Sequence, residues 1–332
     1  MGSCDPPFQD FYKKLFDNEK INNNTTNVLD IVEERELPLI DLNRLNIQLE
    51  EENCKSDIVK ASQELGFFQV INHGVSSEVL ANMRCEQMKL FKRPFQEKAN
   101  NCHPYLNCLA TSYRWGTPTA TCLKQISWSE AFHVPLTGIS TTVEVSTLSA
   151  TTKELVKKMY DLAQRLAEIL AEQLGNKPAY FKETCSPTTC FLRLNRYPVC
   201  SVSPNVFGLM PHTDSDFLTI LHQDQIGGLQ LVKEGKWIGV KPNPNALIIN
   251  IGDLLQAWSN NVYKSVEHRV IVNTYVERFS TAFFFCPSYD TMIQSDVENS
   301  VYRRFSFEEF RQQVEDDVKM HGQKIGLSRF NI

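Results

Sequence analysis

The stretch FLTILHQDQIGGLQLV, at positions 217–232, has the pattern from which we predict the fold. It holds two short apolar runs, Phe217–Leu221 and Leu229–Val232, separated by a polar segment that ends in Gly227 and Gly228. Apolar runs of this length, bounded by glycine-containing turns, predict short β-strands joined by a reversal of the chain.

The same pattern continues on both sides of this stretch. Further strand-like runs, separated by turn residues and without helical periodicity between them, are Cys190–Tyr197, Trp237–Val240, Ala246–Ile251, Ser265–Val272 and Ser280–Phe285. Many short strands of this kind predict an antiparallel jelly-roll barrel, that is, a double-stranded β-helix, whose mouth can hold a ligand.

The N-terminal half has mainly helical periodicity. A short strand-like segment at Leu37–Leu42 precedes a stretch of helical spacing that stops at Gly66. A longer amphipathic pattern runs from about Thr152 to Leu174 and stops at Gly175. We therefore expect an α+β fold, in which a helical N-terminal region and supporting helices brace the jelly-roll core.

These patterns divide the chain into five segments. The Asn-rich stretch 18–29 predicts a mobile leader ahead of the ordered region. The expected segments are the mobile leader (1–36), an N-terminal region of helices and strands (37–150), a supporting helix (151–186), the jelly-roll core (187–290) and a C-terminal helical segment (291–332).

Composition narrows the class of partner. The 332 residues are 42% hydrophobic and 22% charged, which is enough apolar material for a sizeable core. A net charge of −5 without a block of Lys and Arg argues against nucleic acid or an anionic membrane and favours a small molecule. No apolar run reaches the roughly 18 residues needed to span a bilayer. Ten scattered cysteines without Cys-x-x-Cys spacing favour reduced thiols, so we expect a soluble cytoplasmic protein of undetermined oligomeric state.

The candidate metal ligands are His212, Asp214 and His268. His212 and Asp214 are separated by one residue, so on an extended chain both side chains point to one face and can bind one ion. A second imidazole from His268 would complete the two-histidine, one-carboxylate set that holds non-haem iron(II) with positions left open. One His-x-Asp triplet alone is weak evidence, and a second copy runs from His222 to Asp224. We favour the first copy because the second falls in a predicted turn, which gives no reason for both side chains to face the barrel interior.

A candidate anion clamp follows on the next strand. Arg278 comes ten residues after His268, and Ser280 lies two positions further, on the same strand face. A guanidinium and a hydroxyl side by side can hold a carboxylate, the guanidinium in a bidentate manner. This suits a dicarboxylate that chelates iron at its other end. Without the neighbouring pattern, the alternative interpretation of Arg278 is an exposed charge at a strand end.

Several motifs together resemble the plant 2-oxoglutarate-dependent dioxygenase superfamily. The resemblance extends from about Leu37 to Pro287. The motifs are GFFQVINHG at 66–74, NRYP at 195–198, HTD at 212–214, GGLQ at 227–230, HRV at 268–270 and RFS at 278–280. In this family the histidine of the first motif, His73 here, is structural, and packing is its favoured interpretation.

The resemblance implies a set of cofactors and the residues that hold them. It assigns iron(II) to His212, Asp214 and His268, with O2 as the oxidant and ascorbate as the reductant. It assigns the co-substrate 2-oxoglutarate to a second group of side chains, which are Arg278, Ser280, Tyr197 and, as a lesser contact, Asn195.

Three more segments resemble the gibberellin 2-oxidases of the group that acts on 20-carbon precursors. They are SYRWGTP at 112–118, SWSEAFH at 127–133 and CFLRLNRYP at 190–198. The resemblance implies an enzyme of plant hormone catabolism, a gibberellin 2-beta-dioxygenase whose substrate is a diterpenoid acid. An aromatic wall with a cation suits such a molecule. The selected substrate contacts are Tyr113, Arg114, Trp115, Trp128 and Phe285.

Alternatives remain open at this point. Trp115, Trp128 and Phe132 would equally well pack the N-terminal helices against the barrel. Another plant oxygenase, acting on a flavonoid, coumarin or alkaloid, would share every iron and 2-oxoglutarate residue. A non-catalytic jelly-roll binding module would have no need for an intact set of metal ligands. A zinc hydrolase would have no use for Arg278 and Ser280.

Overall fold

The computed structural model describes residues 3–21, 32–100, 112–138, 147–202, 206–295 and 297–332. The helices are α1 Phe8–Phe11, α2 Lys13–Ile21, α3 Glu51–Glu64, α4 Ser77–Phe91, α5 Phe95–Ala99, α6 Thr147–Gln173, α7 Ala179–Thr184, α8 Asp253–Trp258 and α9 Phe307–His321. Short 3-10 helices lie at Leu42–Asn46, Leu123–Gln125, Leu136–Gly138 and Gly326–Phe330.

The strands fall into two large sheets and a small one. They are β1 Glu34–Arg35, β2 Leu39–Asp41, β3 Phe67–Ile71, β4 Ser112–Trp115, β5 Glu130–Pro135, β6 Phe191–Tyr197, β7 Phe207–His212, β8 Leu218–Gln223, β9 Leu229–Lys233, β10 Lys236–Val240, β11 Leu247–Ile251, β12 His268–Ile271, β13 Arg278–Phe285, β14 Met292–Ile293 and β15 Phe305–Ser306.

The sheet order agrees with the predicted α+β jelly roll. The eight-stranded sheet has the order β2-β3-β11-β8-β13-β6-β5-β4, and the five-stranded sheet has the order β1-β10-β9-β12-β7. Paired strands are antiparallel except β1 with β10 and β2 with β3. The core strands from β6 to β13 alternate between the two sheets, except that β9 and β10 both lie in the five-stranded sheet, so residues far apart in sequence meet inside the barrel.

Helix α6 covers one face of the eight-stranded sheet. Its apolar positions Leu155, Met159 and Leu166 share a buried cluster with Ile220 of β8 and Phe283 of β13. Burying a side chain of this size contributes about 1.5 to 3 kcal/mol, so this contact is a main source of stability. No helix in the described ranges is both long enough and apolar enough to cross a membrane.

β7 and β8 differ from the sequence prediction. β7 was not predicted as a strand, because Gly208 and Pro211 interrupt its pattern; it forms the edge of the five-stranded sheet, where a proline is tolerated. β8 extends to Gln223, since Thr281 and Ser280 of β13 pair with its last two residues. His222 therefore lies in a strand, and the prediction that it lies in a turn was wrong.

The predicted mobile leader is partly ordered. Phe8, Tyr12 and Phe16 are buried in one cluster with Trp128. Their spacing of four residues puts the three aromatic rings on one side of the α1–α2 segment, which explains why it packs on the barrel. The leader prediction does not hold for these residues, and the Asn-rich stretch 22–26 lies outside the described residues.

Candidate metal centre and co-substrate site

The structure brings His212, Asp214 and His268 together at one end of the five-stranded sheet. His212 ends β7 and pairs directly with His268, which begins β12. The Nε2 atoms of His212 and His268 lie 3.7 Å and 3.8 Å from Oδ1 of Asp214. Among the described residues, these three are the group whose ligand atoms lie close enough, within 4.8 Å of one another, to hold one metal ion.

Backbone carbonyls fix both imidazole rings. His212 Nδ1 lies 2.7 Å from the carbonyl oxygen of Met210, and His268 Nδ1 lies 3.1 Å from that of Val266. Because a carbonyl oxygen only accepts, each ring carries its proton on Nδ1 and keeps a lone pair on Nε2. Burial, reinforced by His268, lowers the pKa of His212 to about 3, so this imidazole is neutral and able to bind a metal.

Hydrogen bonds hold one carboxylate oxygen of Asp214 and leave the other oxygen free. Thr219 Oγ1 donates to Asp214 Oδ2 at 2.6 Å, and Asn250 Nδ2 donates to the same oxygen. Burial raises the pKa of this carboxyl, but the neighbouring histidines and Thr219 outweigh burial and keep the pKa below its usual range. Asp214 is therefore an anion whose Oδ1 faces the two Nε2 atoms, which fits iron(II).

Asp216 adds a further hydrogen bond behind this carboxylate. Its Oδ2 lies 2.9 Å from Thr219 Oγ1, and burial together with the charge of Asp214 raises its pKa well above the usual value. The Thr219 hydroxyl, which lies 2.6 Å from Asp214 Oδ2 and 2.9 Å from Asp216 Oδ2, therefore links the two carboxyl groups.

The loop that carries Asp214 is held from two sides. Lys324 Nζ, from the C-terminal segment, donates to the carbonyl oxygen of Thr213 at 3.0 Å and pairs with Asp253 at 2.7 Å. The backbone N–H of Asp253 donates to the carbonyl oxygen of Asp214 at 3.0 Å. Gly252 lets α8 approach this closely, since a Cβ there would lie 2.2 Å from a backbone oxygen of the loop.

The four predicted co-substrate residues also come together. β13 and β6 pair so that Arg278 lies opposite Tyr197 and Ser280 lies opposite Asn195. The Arg278 guanidinium carbon lies 4.8 Å from the centre of the Tyr197 ring, and Asn195 Nδ2 donates to Ser280 Oγ at 3.3 Å. All four side chains are buried.

Arg278 has unused hydrogen-bond donors. Its Nη2 donates to Gln223 Oε1 at 2.8 Å, whereas Nε and Nη1 have no partner in the part of the chain that the structure describes. Arg278 is only 2% exposed, and a buried cation with two unpaired donors is costly unless an anion joins it. The far carboxylate of 2-oxoglutarate would satisfy both donors.

Sequence analysis missed the partners Thr219, Asn250 and Gln223. Thr219 and Asn250 are polar residues inside apolar strands, and this was the available signal. Thr219 and Gln223 share one face of β8, and Gln223 lies across from Ser280, which lies across from Asn195. We call this face of the eight-stranded sheet the iron-facing surface.

Phe285, a predicted substrate contact, lies on the other face of the sheet. Arg278 and Ser280 point to the iron-facing surface. Phe285 is an odd number of positions further along the same strand, so its side chain points to the opposite face. The Phe285 ring instead packs against Tyr160 of α6 with 5.5 Å between ring centres. The structure therefore makes Phe285 a core residue.

The three aromatic residues predicted near the substrate have packing roles. The Tyr113 hydroxyl donates to the buried carboxylate of Glu130. Trp128 stacks on Phe8 at 4.4 Å, and Trp115 meets the same ring edge-on at 5.4 Å. The contacts with Phe8 therefore support the packing alternative for Trp115 and Trp128.

Arg114 is the predicted substrate contact that shares the iron-facing surface. It pairs with Ala131, which in turn pairs with Asn195 of β6. Because β4 is the edge strand, the Arg114 side chain is exposed to solvent.

The second His-x-Asp triplet is not arranged as a metal site. His222 lies with His73 beside a surface cavity of about 900 Å³. Asp224 uses its carboxylate to close the following turn, accepting from the backbone N–H groups of Phe279 at 2.6 Å and Ile226 at 3.0 Å.

Known proteins are similar in sequence to this chain over nearly its whole length. The family model of the 2OG-Fe(II) oxygenase superfamily matches residues 188–287, and a model described as the non-haem dioxygenase N-terminal region in morphine synthesis matches residues 37–140. Gibberellin 2-beta-dioxygenase 8 of Arabidopsis thaliana is 55% identical, with 98% of each chain covered. Gibberellin 2-beta-dioxygenase 5 of Oryza sativa subsp. japonica is 50% identical, with 99% of this chain and 97% of that protein covered.

A solved structure is also similar to this chain in fold. The crystal structure of JOX2 in complex with 2OG, Fe and JA has a TM-score of 0.70 and 30% identity, with 89% of this chain and 91% of that chain covered. The metal centre and the buried unpaired Arg278 fit the iron and 2OG that this structural neighbour holds. The chain therefore belongs to the 2OG-Fe(II) oxygenase superfamily, the iron(II)- and 2-oxoglutarate-dependent dioxygenases.

Proposed function

We propose that the protein is a gibberellin 2-beta-dioxygenase that hydroxylates 20-carbon gibberellin precursors at C-2 and so inactivates them. The observation that carries the proposal is its 55% identity, over nearly the full length of both chains, to a protein of that name. The complete sets of candidate iron and 2-oxoglutarate residues support an active enzyme over a non-catalytic binding module.

In the proposed reaction, one oxygen atom of O2 enters a C–H bond of the substrate. The other enters 2-oxoglutarate, which leaves as succinate and CO2. Bound iron(II) would activate O2, which is the oxidant, 2-oxoglutarate would supply two of the four electrons, and the protein supplies position. Arg278, with Ser280 and Tyr197, holds the far carboxylate of the co-substrate, and the carbonyl partners of His212 and His268 hold both rings with Nε2 toward the metal position. No side chain has to act as a general base.

The restriction to 20-carbon substrates is supported by sequence. It rests on the segments 112–118 and 127–133, which resemble that group of gibberellin 2-oxidases. The aromatic residues of these segments pack against the barrel wall. Arg114 is an exposed cation on the edge strand β4.

We also propose a cytoplasmic location, with no nucleic-acid or membrane partner. The acidic net charge of −5 supports a small-molecule partner. The described cysteines are free thiols, as a reducing compartment requires.

The test is direct. Purified protein is incubated with iron(II), ascorbate, 2-oxoglutarate and single gibberellins of both classes, and products are identified by mass spectrometry. We expect a product with one added oxygen atom, formed together with one equivalent of succinate, and no product when 2-oxoglutarate is omitted or zinc replaces iron. Turnover of a flavonoid, coumarin or alkaloid with all gibberellins inert would contradict the proposed substrate. Absence of succinate with every substrate would favour the binding module.

A further inference from the structure

Arg193 lies on the iron-facing surface beside the co-substrate residues. On β6 it precedes Asn195 by two positions, so the two side chains point to one face. Its cross-strand neighbours are Ala282 on β13 and His133 on β5. Two residues along a strand span about 7 Å, so Arg193 lies next to the pair formed by Asn195 and Ser280 and is not part of it.

The Arg193 guanidinium makes no ion pair or hydrogen bond within the described ranges. It differs in this from Arg196, which points to the other face of β6 and pairs with Glu130 and Glu277 at 2.7 Å each. Burial lowers the pKa of Arg193, and the nearby cation Arg114 adds to this shift, whereas Tyr197 and Asp214 oppose it without forming an ion pair. A partly buried cation without a counter-charge is unfavourable, and an anionic ligand would remove that cost.

A stack of three rings lies next to this cation. Phe191, two residues earlier on β6, stacks on His133 at 4.1 Å and on Phe284 at 4.4 Å between ring centres. Burial, with help from the surrounding arginines, lowers the pKa of His133 to about 4, so the stack is uncharged at neutral pH. Ala131 and Ala282, which have small side chains, neighbour this stack on the iron-facing surface.

We propose that Arg193 binds a carboxylate of the organic substrate, while the stack formed by His133, Phe191 and Phe284 supports its rigid apolar skeleton. This inference rests on the proposed function and adds its binding site. The far carboxylate of 2-oxoglutarate is already matched by the buried Arg278, so the partly buried Arg193 is left for a different acid. A cation beside a flat apolar support suits a polycyclic acid and does not suit a neutral substrate.

The experiment compares substrates as well as variants. The wild type, Arg193→Met and Arg193→Lys are assayed with a 20-carbon gibberellin diacid and with each of its monomethyl esters. Arg193→Met removes the charge and keeps a long side chain, and Arg193→Lys restores the charge. Arg165→Met, on the exposed face of α6, controls for net charge.

We expect Arg193→Met to lower kcat/KM for the diacid by about tenfold or more. This loss is small for the removal of one partner of a charge pair, because the site is partly exposed. Arg193→Lys should recover part of the loss, and Arg165→Met should match the wild type. One monoester should be a poor substrate of the wild type and insensitive to Arg193→Met, which identifies the carboxylate that is bound. Iron affinity and the 2-oxoglutarate KM should stay unchanged.

Two outcomes separate the inference from the proposed function. If the wild type oxidises gibberellins but Arg193→Met affects the diacid and both esters equally, or affects none of them, the inference is overturned and the function stands. If the wild type converts 2-oxoglutarate to succinate but no gibberellin to product, the proposed function fails, and the inference fails with it.

Discussion

Thr219 donates a hydrogen bond of 2.6 Å from its hydroxyl to Oδ2 of Asp214. Thr219 belongs to β8 in the eight-stranded sheet, whereas Asp214 follows β7 of the five-stranded sheet. The bond therefore joins the two halves of the barrel at the metal centre. Asn250, which pairs with Thr219 across β8 and β11, donates to the same oxygen. The position of the metal carboxylate thus depends on both sheets being correctly assembled.

Removing the Thr219 hydroxyl should weaken iron binding. Thr219→Val keeps the shape of the side chain, and loss of a partner that orients a metal ligand typically costs about 10- to 100-fold in metal affinity. Anaerobic titration with iron(II) measures the change. Thr281→Val is the matched control, because Thr281 lies on the opposite face of the sheet and donates to Gln87 at 3.2 Å. Equal iron affinity in the wild type and Thr219→Val would rule out this role.

The metal ligands could be predicted because their signal is local. His212 and Asp214 alternate on an extended chain, so their spacing alone places both side chains together. The role of Gln223 depends instead on the register between β8 and β13, which no short stretch of sequence encodes. Thr219 and Asn250 depend in the same way on how β8 meets β11.

The aromatic residues predicted as substrate contacts lie in packed regions for a related reason. An aromatic residue in a strand fits a binding pocket or a core equally well, and the sequence does not say which face the next layer covers. Here α1 supplies Phe8, which packs on Trp115 and Trp128. The leader that was expected to be mobile is thus the reason that these tryptophans lie in a core.

The two His-x-Asp triplets should respond differently to mutation. His212→Ala, Asp214→Ala and His268→Ala should each abolish turnover and iron binding, because these are the candidate ligands that converge on one point among the described residues. His222→Ala should keep both. The measurements are iron content and succinate formation, with circular dichroism to establish folding.

Asp224 serves as a second comparison in that series. Asp224→Ala should keep iron while lowering thermal stability, since its carboxylate accepts two backbone hydrogen bonds. A folded but iron-free His222→Ala protein would overturn the assignment of the metal site.

Arg278→Gln should raise the KM for 2-oxoglutarate by about 30-fold or more, because losing one partner of a buried charge pair costs about 2 kcal/mol at least. The two donors of Arg278 that have no protein partner are the ones that the co-substrate would use. Iron affinity should change little. Succinate formation as a function of 2-oxoglutarate concentration checks this. An unchanged 2-oxoglutarate KM with a raised KM for the organic substrate would be the contrary result.

Glu130→Gln should destabilise the fold. The Glu130 carboxylate lies 2.6 Å from Lys98 Nζ and 2.7 Å from Arg196 Nη1, and the side chains of Glu130 and Lys98 are fully buried. Breaking a buried pair leaves an uncompensated cation and costs about 3 kcal/mol or more in the free energy of unfolding. Urea denaturation measures the loss. Glu51→Gln, which breaks an exposed pair with Lys55 on α3, is the control and should change stability by less than about 1 kcal/mol.

The last prediction concerns the two gibberellin classes. The 20-carbon forms should be hydroxylated at C-2 with higher kcat/KM than the 19-carbon forms, in which a neutral lactone replaces one open carboxylate. A cation matched to that carboxylate is left unpaired against the lactone, and this disfavours the 19-carbon substrate. Arg114 shares the iron-facing surface but is exposed, so water and salt screen its charge. Arg114→Ala should therefore lower kcat/KM for the 20-carbon substrate by about fivefold at most and leave the 19-carbon substrate unaffected. Raising the ionic strength should shrink this difference. Faster wild-type turnover of the 19-carbon forms would exclude the 20-carbon assignment without touching the iron and 2-oxoglutarate chemistry.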